Sequence, residues 1–176
     1  VMDFVTIAST GNATDFGDSA TAALEAECVS NATRMVRGGG AAGPAPSYTP
    51  TTVNMDYVTI ASAGDAADFG DLTVKKAGHF AGSESRGDRA IFGGGQTPSL
   101  VNTIEYVNIK STGDGTDFGD LSAARDKGGA ASSNVRVFWH GGGAPGDVNI
   151  IENITSSNLG NTADWGDLSA AVAHNG

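Results

Sequence analysis

The chain has 176 residues, among them 26 glycines, with 17% charged and 7% aromatic residues, a composition that favours turns and short strands because glycine and small polar residues destabilise helices. Ten Lys and Arg against twenty Asp and Glu give a net charge of −10, which argues against a nucleic-acid backbone or an anionic membrane as partner, since both call for clustered cations. Cys28 is the single cysteine, so no intrachain disulfide forms and the redox compartment stays open.

Taken in chain order, "MDFVTIAS" at 2–9 is the first strand pattern, followed by "DFGDS" at 15–19. No apolar stretch nears a membrane span and no signal peptide is read, so no membrane insertion is expected. The Val-Met opening leads us to expect a segment of a larger or processed product. "ATAALEAECV" at 20–29 comes nearest to helical periodicity, and it lies where later repeats read as loop and strand. "RMVRGGG" then closes on Gly38, Gly39 and Gly40, and the insertion "AAGPAPSYTPTTVN" at 41–54 follows, a surface loop by composition that carries Tyr48.

The same order then returns. "MDYVTIAS" at 55–62 alternates β-branched and aromatic residues and ends at a Gly64-Asp65 turn, so it reads as a strand with "DFGDL" as its short antiparallel partner. Tyr57 and Thr59 are expected on one face and Val58 and Ile60 on the other, neither face strongly polar, as in a sheet covered on both sides. A strand of small residues, "GHFAGSES" at 78–85, precedes the apolar strand "RAIF" at 89–92, which stops at Gly93, Gly94 and Gly95. A third round runs from "IEYVNIKS" at 104–111 through "TDFGDL" to "FWHGGG", ending in Gly141, Gly142 and Gly143, and a fourth begins with "IENITSSN" at 151–158 and "TADWGDL" at 162–168.

The shared motif begins at Asp15, Asp68, Asp117 and Asp164, spacings of 53, 49 and 47 residues that mark a repeat architecture. Its aromatics are Phe16, Phe69, Phe118 and Trp165. We divide the chain into repeat 1 at 1–54, repeat 2 at 55–103, repeat 3 at 104–150 and a partial repeat 4 at 151–176, all in one domain. Four short strands per period, sandwiched between neighbours, fit the blades of a propeller.

Chemical readings of these motifs fail for want of partners. Asp-Phe-Gly is a magnesium site only beside a glycine-rich loop, a strand lysine and an HRD-type loop, none of which is found. Aspartates such as Asp114, Asp117 and Asp120 match neither the EF-hand spacing nor the calcium nonapeptide period, so no metal and no cofactor are expected. The first Asp of each motif is expected to cap a tight turn while the aromatic packs between sheets. The triple glycines lack the Lys-Ser or Lys-Thr of a phosphate loop, and are expected to turn the chain with φ values barred to other residues. No nucleophile with a base is found, so catalytic residues are none and the chain reads as not an enzyme. His79 and His174 fall 11 and 10 residues after the motif's first Asp, so both belong to the repeat pattern. His140 breaks it; with Trp139 it replaces the "IFGGG" of the previous repeat, and Tyr48, Trp139 and His140 are the candidate ligand-binding residues, a sugar ring stacked on Trp139 being weighed against a packing role. Asn12, Asn31 and Asn153 satisfy the glycosylation sequon.

The stretch "IEYVNIKSTGDGTDFGDLSAARDKGGAASSNVRVFWHGGG" at 104–143 resembles the kelch repeat in the order of its elements: an acidic-aromatic strand, a strand carrying an aromatic, a basic stretch, then an apolar strand closing in glycines. Repeats of this "TDFGDL…FGGG" type are also similar to those in predicted virion and tail-fibre proteins of bacterial viruses. The resemblance implies an all-β, kelch-like β-propeller segment of four-stranded antiparallel blades. About three are complete, with an unpaired hairpin at 2–18 and a stub at 169–176, and closure falls to a longer chain or to oligomerisation. It further implies a non-enzymatic structural or adhesive module of a virion appendage or extracellular assembly. Its expected partners are other copies or further blades, virion proteins and host surface glycan. The alternatives are a repeat enzyme, polysaccharide-active or an oxidase, with its site in other blades, and a purely structural fibre subunit.

Overall fold

The computed structural model describes residues 1–43, 50–83, 88–143 and 145–173. Among them every regular element is a strand and there is no helix. The first two, β1 (Met2–Phe4) and β2 (Thr14–Gly17), form a two-stranded hairpin. Three four-stranded antiparallel sheets follow, each with its strands side by side in chain order. The first holds β3 (Glu27–Ser30), β4 (Arg34–Gly38), β5 (Asn54–Thr59) and β6 (Ala67–Asp71); the second β7 (Phe80–Ser83), β8 (Arg89–Gly93), β11 (Thr103–Asn108) and β12 (Thr116–Asp120). Between β8 and β11 lies a small hairpin of β9 (Gln96–Thr97) and β10 (Ser99–Leu100). The third sheet is built of β13 (Gly129–Ser132), β14 (Arg136–His140), β15 (Val148–Thr155) and β16 (Ala163–Val172).

The sheets are out of phase with the sequence repeat. Boundaries drawn at 55, 104 and 151 fall inside β5, β11 and β15, so each sheet takes two strands from one repeat and two from the next. The segment 20–29, nearest to helical in pattern, ends in β3. Ser169–Val172, expected as part of a separate stub, instead continue β16, where Val172 pairs with Val148; His174 lies outside the described residues.

Each motif aromatic is the extra residue of a β-bulge. Asp56 pairs with Asp68 and Met55 with Gly70, so Phe69 has no partner opposite it; the register shifts the same way around Phe16, Phe118 and Trp165. A bulge swings the extra side chain out of the ladder. Phe69 and Phe118 thereby enter the space between sheets and are buried. Ile60 breaks the expected alternation: it lies beyond β5 and is 45% exposed, while Val58 is buried.

Two apolar cores separate the three sheets. Val29, Val36, Met55 and Phe69 of the first sheet meet Phe92, Val107 and Ile109 from the second. Phe80, Ile91 and Phe118 of the second meet Val137, Trp139 and Ile154 of the third. Burial of side chains of this size contributes about 1.5–3 kcal/mol each. Glycines make room for the largest of them: a Cβ on Gly38 would lie 3.3 Å from the Phe92 ring, and one on Gly93 would lie 3.0 Å from Trp139 Nε1. His140 occupies this position in the third sheet. The chain turns on the next two residues, Gly39 and Gly40, Gly94 and Gly95, Gly141 and Gly142, all with φ between 64° and 109°. The third glycine triplet is thus shifted one place against the other two.

His79 lies in the first core, 2% exposed, its ring edge-on to Phe92 at 5.6 Å. Burial, aided by the nearby Lys76 charge, lowers its pKa from 6.5 to about 3. The unfolded chain therefore takes up this proton first, and stability is full above about 6.5 and drains as pH falls toward about 3. Urea titrations should show a pH slope in this window shallower in His79→Leu than in wild type by up to about 1.4 kcal/mol per pH unit; equal slopes would place His79 in contact with water.

Candidate functional site

The feature that recurs with full geometry is the joint between one outer hairpin and the next. In the first joint Gly64 N–H donates to Phe16 O at 2.6 Å, Ala66 N–H to Asp18 O at 2.8 Å, and Asp18 N–H to Asp65 Oδ1 at 2.9 Å. The second repeats this with Gly113 to Phe69 at 2.7 Å, Gly115 to Asp71 at 2.7 Å, and Asp71 to Asp114 at 3.0 Å. The third uses Gly160 to Phe118 at 2.8 Å, Thr162 to Asp120 at 2.9 Å, and Asp120 to Asn161 Oδ1 at 3.0 Å. A carboxylate or amide oxygen accepts equally well here, so Asp and Asn exchange freely.

The motif glycine is required by this approach. Gly17, Gly70 and Gly119 have φ of 141°, 137° and 149°, and a Cβ on each would lie 2.3–2.5 Å from the carbonyl oxygen of Gly64, Gly113 or Gly160. Backbone cannot yield as a flexible side chain would, so only glycine fits. The first motif Asp is expected from the sequence to cap a tight turn; Asp15 Oδ1 accepts from Gly17 N–H at 3.2 Å, but within β2 at the bulge. In all three joints the oxygen that bonds across belongs to the Gly-Asp or Gly-Asn turn of the following repeat, and Asp68, Asp117 and Asp164 are exposed.

A second bond runs deeper in each joint. The acid beginning each new outer strand reaches back to the preceding repeat: Asp56 accepts from Ala20 N–H at 2.9 Å, Glu105 from Thr73 N–H at 2.5 Å, Glu152 from Ser122 N–H at 2.9 Å. Each acid also meets a cation. Glu105 pairs with Lys76 Nζ at 2.6 Å, both fully buried, and Glu152 with buried Arg125. In the first joint Ala23 stands where those cations stand, and Arg37 pairs instead with Asp56 at 2.7 Å. Arg37 replaces the aromatic that Phe92 and Trp139 provide in the other sheets, so one change accounts for the other. Burial lowers the pKa of both Lys76 and Arg125, and the paired carboxylate works against that shift.

The two candidate ligand residues that the structure describes, Trp139 and His140, make no exposed site. Tyr48 lies outside the described residues. Trp139 is 0% exposed and packs over Gly93, so the solvent-facing ring considered for sugar stacking is corrected to a core side chain. His140 is partly buried across Gly129. The exposed indole is Trp165, 54% exposed, with the Arg136 guanidinium 4.9 Å above its ring and Phe138 edge-on at 5.1 Å. Its aromatic-for-aromatic place in the motif concealed it in the sequence, because Phe69 and Phe118 at that place are buried. Asn153 is buried, which bars its sequon in the folded chain. No group of three or more His, Cys, Asp or Glu among the described residues is arranged to hold a metal. A cleft of about 530 Å3 lies between the first hairpin and first sheet, and Arg37 in its wall is committed to Asp56 and Thr21. Two equivalent shallow grooves, about 170 and 180 Å3, lie beside Tyr57 and Tyr106.

No protein-family model matches this chain, and no curated protein matches it.

Removing the carboxylate charge by Glu105→Gln leaves Lys76 buried without its counter-ion and should cost about 3–5 kcal/mol in urea unfolding, with most of the loss restored by Lys76→Met in the same chain. No restoration would contradict the pairing. A matched pair isolates the backbone approach: Gly119→Ala and Gly166→Ala share φ near 145°, but a Cβ at Gly166 meets nothing within 4 Å. Gly119→Ala should therefore lose about 1–3 kcal/mol more stability in dilute solution, and equal losses would mean that the contact with Gly160 is unimportant.

Proposed function

We propose that the three four-stranded sheets are blades of a kelch-like, propeller-type array, and that this array is a non-enzymatic structural and adhesive module of an extracellular or virion appendage. The observation that supports it is the thrice-repeated joint. The acids, amides and glycines that recur in the sequence are engaged in holding one repeat to the next, so the conserved chemistry of the repeat serves assembly. The sequence between repeats, by contrast, changes: the segments after the turning glycines, 41–53, 96–102 and 143–147, share neither length nor composition. Loops that vary on a rigid frame are where recognition is placed. A net charge of −10 fits a neutral glycan or a protein partner better than a polyanion.

A glycan array and whole-cell binding by the assembled protein test the adhesive part. Binding that is lost when 41–53 is shortened to the length of the later loops is expected; absence of signal on both would leave a scaffold alone. Electron microscopy of the assembly should show the sheets arranged radially, and a straight stack would contradict the propeller.

A further inference from the structure

The first hairpin and the last sheet of the described residues carry the two halves of the internal joint. In the third sheet, the fourth motif copy presents Trp165, Gly166 and Asp167, and no turn lies against it among the described residues; a Cβ on Gly166 has open space where the other three motif glycines have a carbonyl at 2.3–2.5 Å. Arg136 stands at the position of Arg34 and Arg89, which donate across the joint to Ile109 O at 3.3 Å and Ser156 O at 2.6 Å; its guanidinium rests instead on Trp165. Ser169 stands at the position of Ala20, Thr73 and Ser122, whose N–H groups receive the acid of the next repeat.

The first hairpin carries the complement. Gly11-Asn12 corresponds to Gly64-Asp65, Gly113-Asp114 and Gly160-Asn161, and Asp3 to Asp56, Glu105 and Glu152. Both Asp3 and Asn12 are exposed. Val5 and Ile7, at 59% and 99% exposure, stand where Val107 and Ile109, at 3% and 0%, press on the preceding sheet. Gly11 lacks the positive φ of Gly64, Gly113 and Gly160.

We propose that a second copy of this chain docks head to tail, its Gly11-Asn12 turn and Asp3 entering the Trp165–Ser169 face of the first. Asn12 Oδ1 then accepts from Asp167 N–H, the Gly11 N–H donates to Trp165 O, Asp3 accepts from Ser169 N–H, and Arg136 leaves the indole for Ile7 O. Val5 and Ile7 cover Trp165. Val172 stands where Lys76 and Arg125 supply the cation in two internal joints, so this contact has no such ion pair and is reversible. Because the two faces differ, each copy offers one of each, and the contact propagates to a ring or an open filament. The inference rests on the joint geometry and is independent of the adhesive reading, which glycan binding tests separately.

Sedimentation velocity over a concentration series tests it with two variants. Gly166→Ala blocks one face; Asp3→Ala with Asn12→Ala removes the other, at residues with no side-chain partner among the described residues. Wild type should associate with rising concentration, and each variant should stay monomeric with wild-type circular dichroism. An equimolar mixture, having one intact pair of faces, should form dimers and nothing larger. Acrylamide quenching of Trp165 should fall severalfold on association, since Trp139 is already buried. Wild type remaining monomeric throughout, association persisting in both variants, or Trp165 staying fully quenchable in the oligomer would each overturn the proposal.

Discussion

A carbonyl oxygen seated against a residue with no side chain is the constraint on which the rest of this structure depends. At Gly17, Gly70 and Gly119 the neighbouring turn comes so close that a methyl group would overlap it. That approach brings two backbone bonds and an Asp or Asn oxygen into place, and it sets the distance at which the bulged aromatics fill the space between sheets. The bulge, the glycine and the turn are thus one device. Each outer hairpin alone would expose an apolar face, and stacking on the next removes it from water, as in other repeat proteins whose stability is largely a sum of neighbour contacts.

The buried acid beneath each clip has a different kind of consequence. Its backbone bond is constant over three joints, whereas its cation comes from Lys76, Arg125 or, in the first joint, from Arg37 on the adjacent strand. The position of the positive charge is free so long as the carboxylate is not left alone, which is the behaviour expected where desolvating an unpaired charge costs far more than the pair contributes. This exchange also explains "RMVRGGG": Arg37 takes the aromatic's place because Ala23 cannot provide the cation.

Much of this was legible in the sequence. The three strand-forming markers, the all-strand character and the use of glycine for turning follow from periodicity, propensity and the absence of a helical pattern. The phase of the sheets was legible as well: the separate hairpin at 2–18 and the three complete four-stranded units are both present, and only Ser169–Val172 depart, because they lengthen β16. The role of the motif's first Asp was not: the side chain that bonds across each joint sits 41 to 47 residues beyond the motif's second Asp, a distance at which local turn chemistry gives no signal. Trp139 takes the packing role weighed against sugar stacking, whereas Trp165, in the motif place expected to pack between sheets, is the exposed ring. A Trp beside a His drew notice as a break in pattern, yet that break reflects a glycine triplet moved by one residue, while the Trp inside the regular motif is the one that meets solvent.

Amide hydrogen exchange at the turn glycines tests the account most directly. Gly64, Gly113 and Gly160 sit in exposed turns, where exchange is ordinarily fast, but their N–H groups donate across the joints. The account predicts that these three exchange as slowly as the amides of the central strands β4, β8 and β14, while Gly11, at the corresponding place in the sequence but with no acceptor among the described residues, exchanges as an unstructured residue does. Rapid exchange at all four glycines with the central strands still protected would contradict it, since the sheets would then hold their shape without the joints.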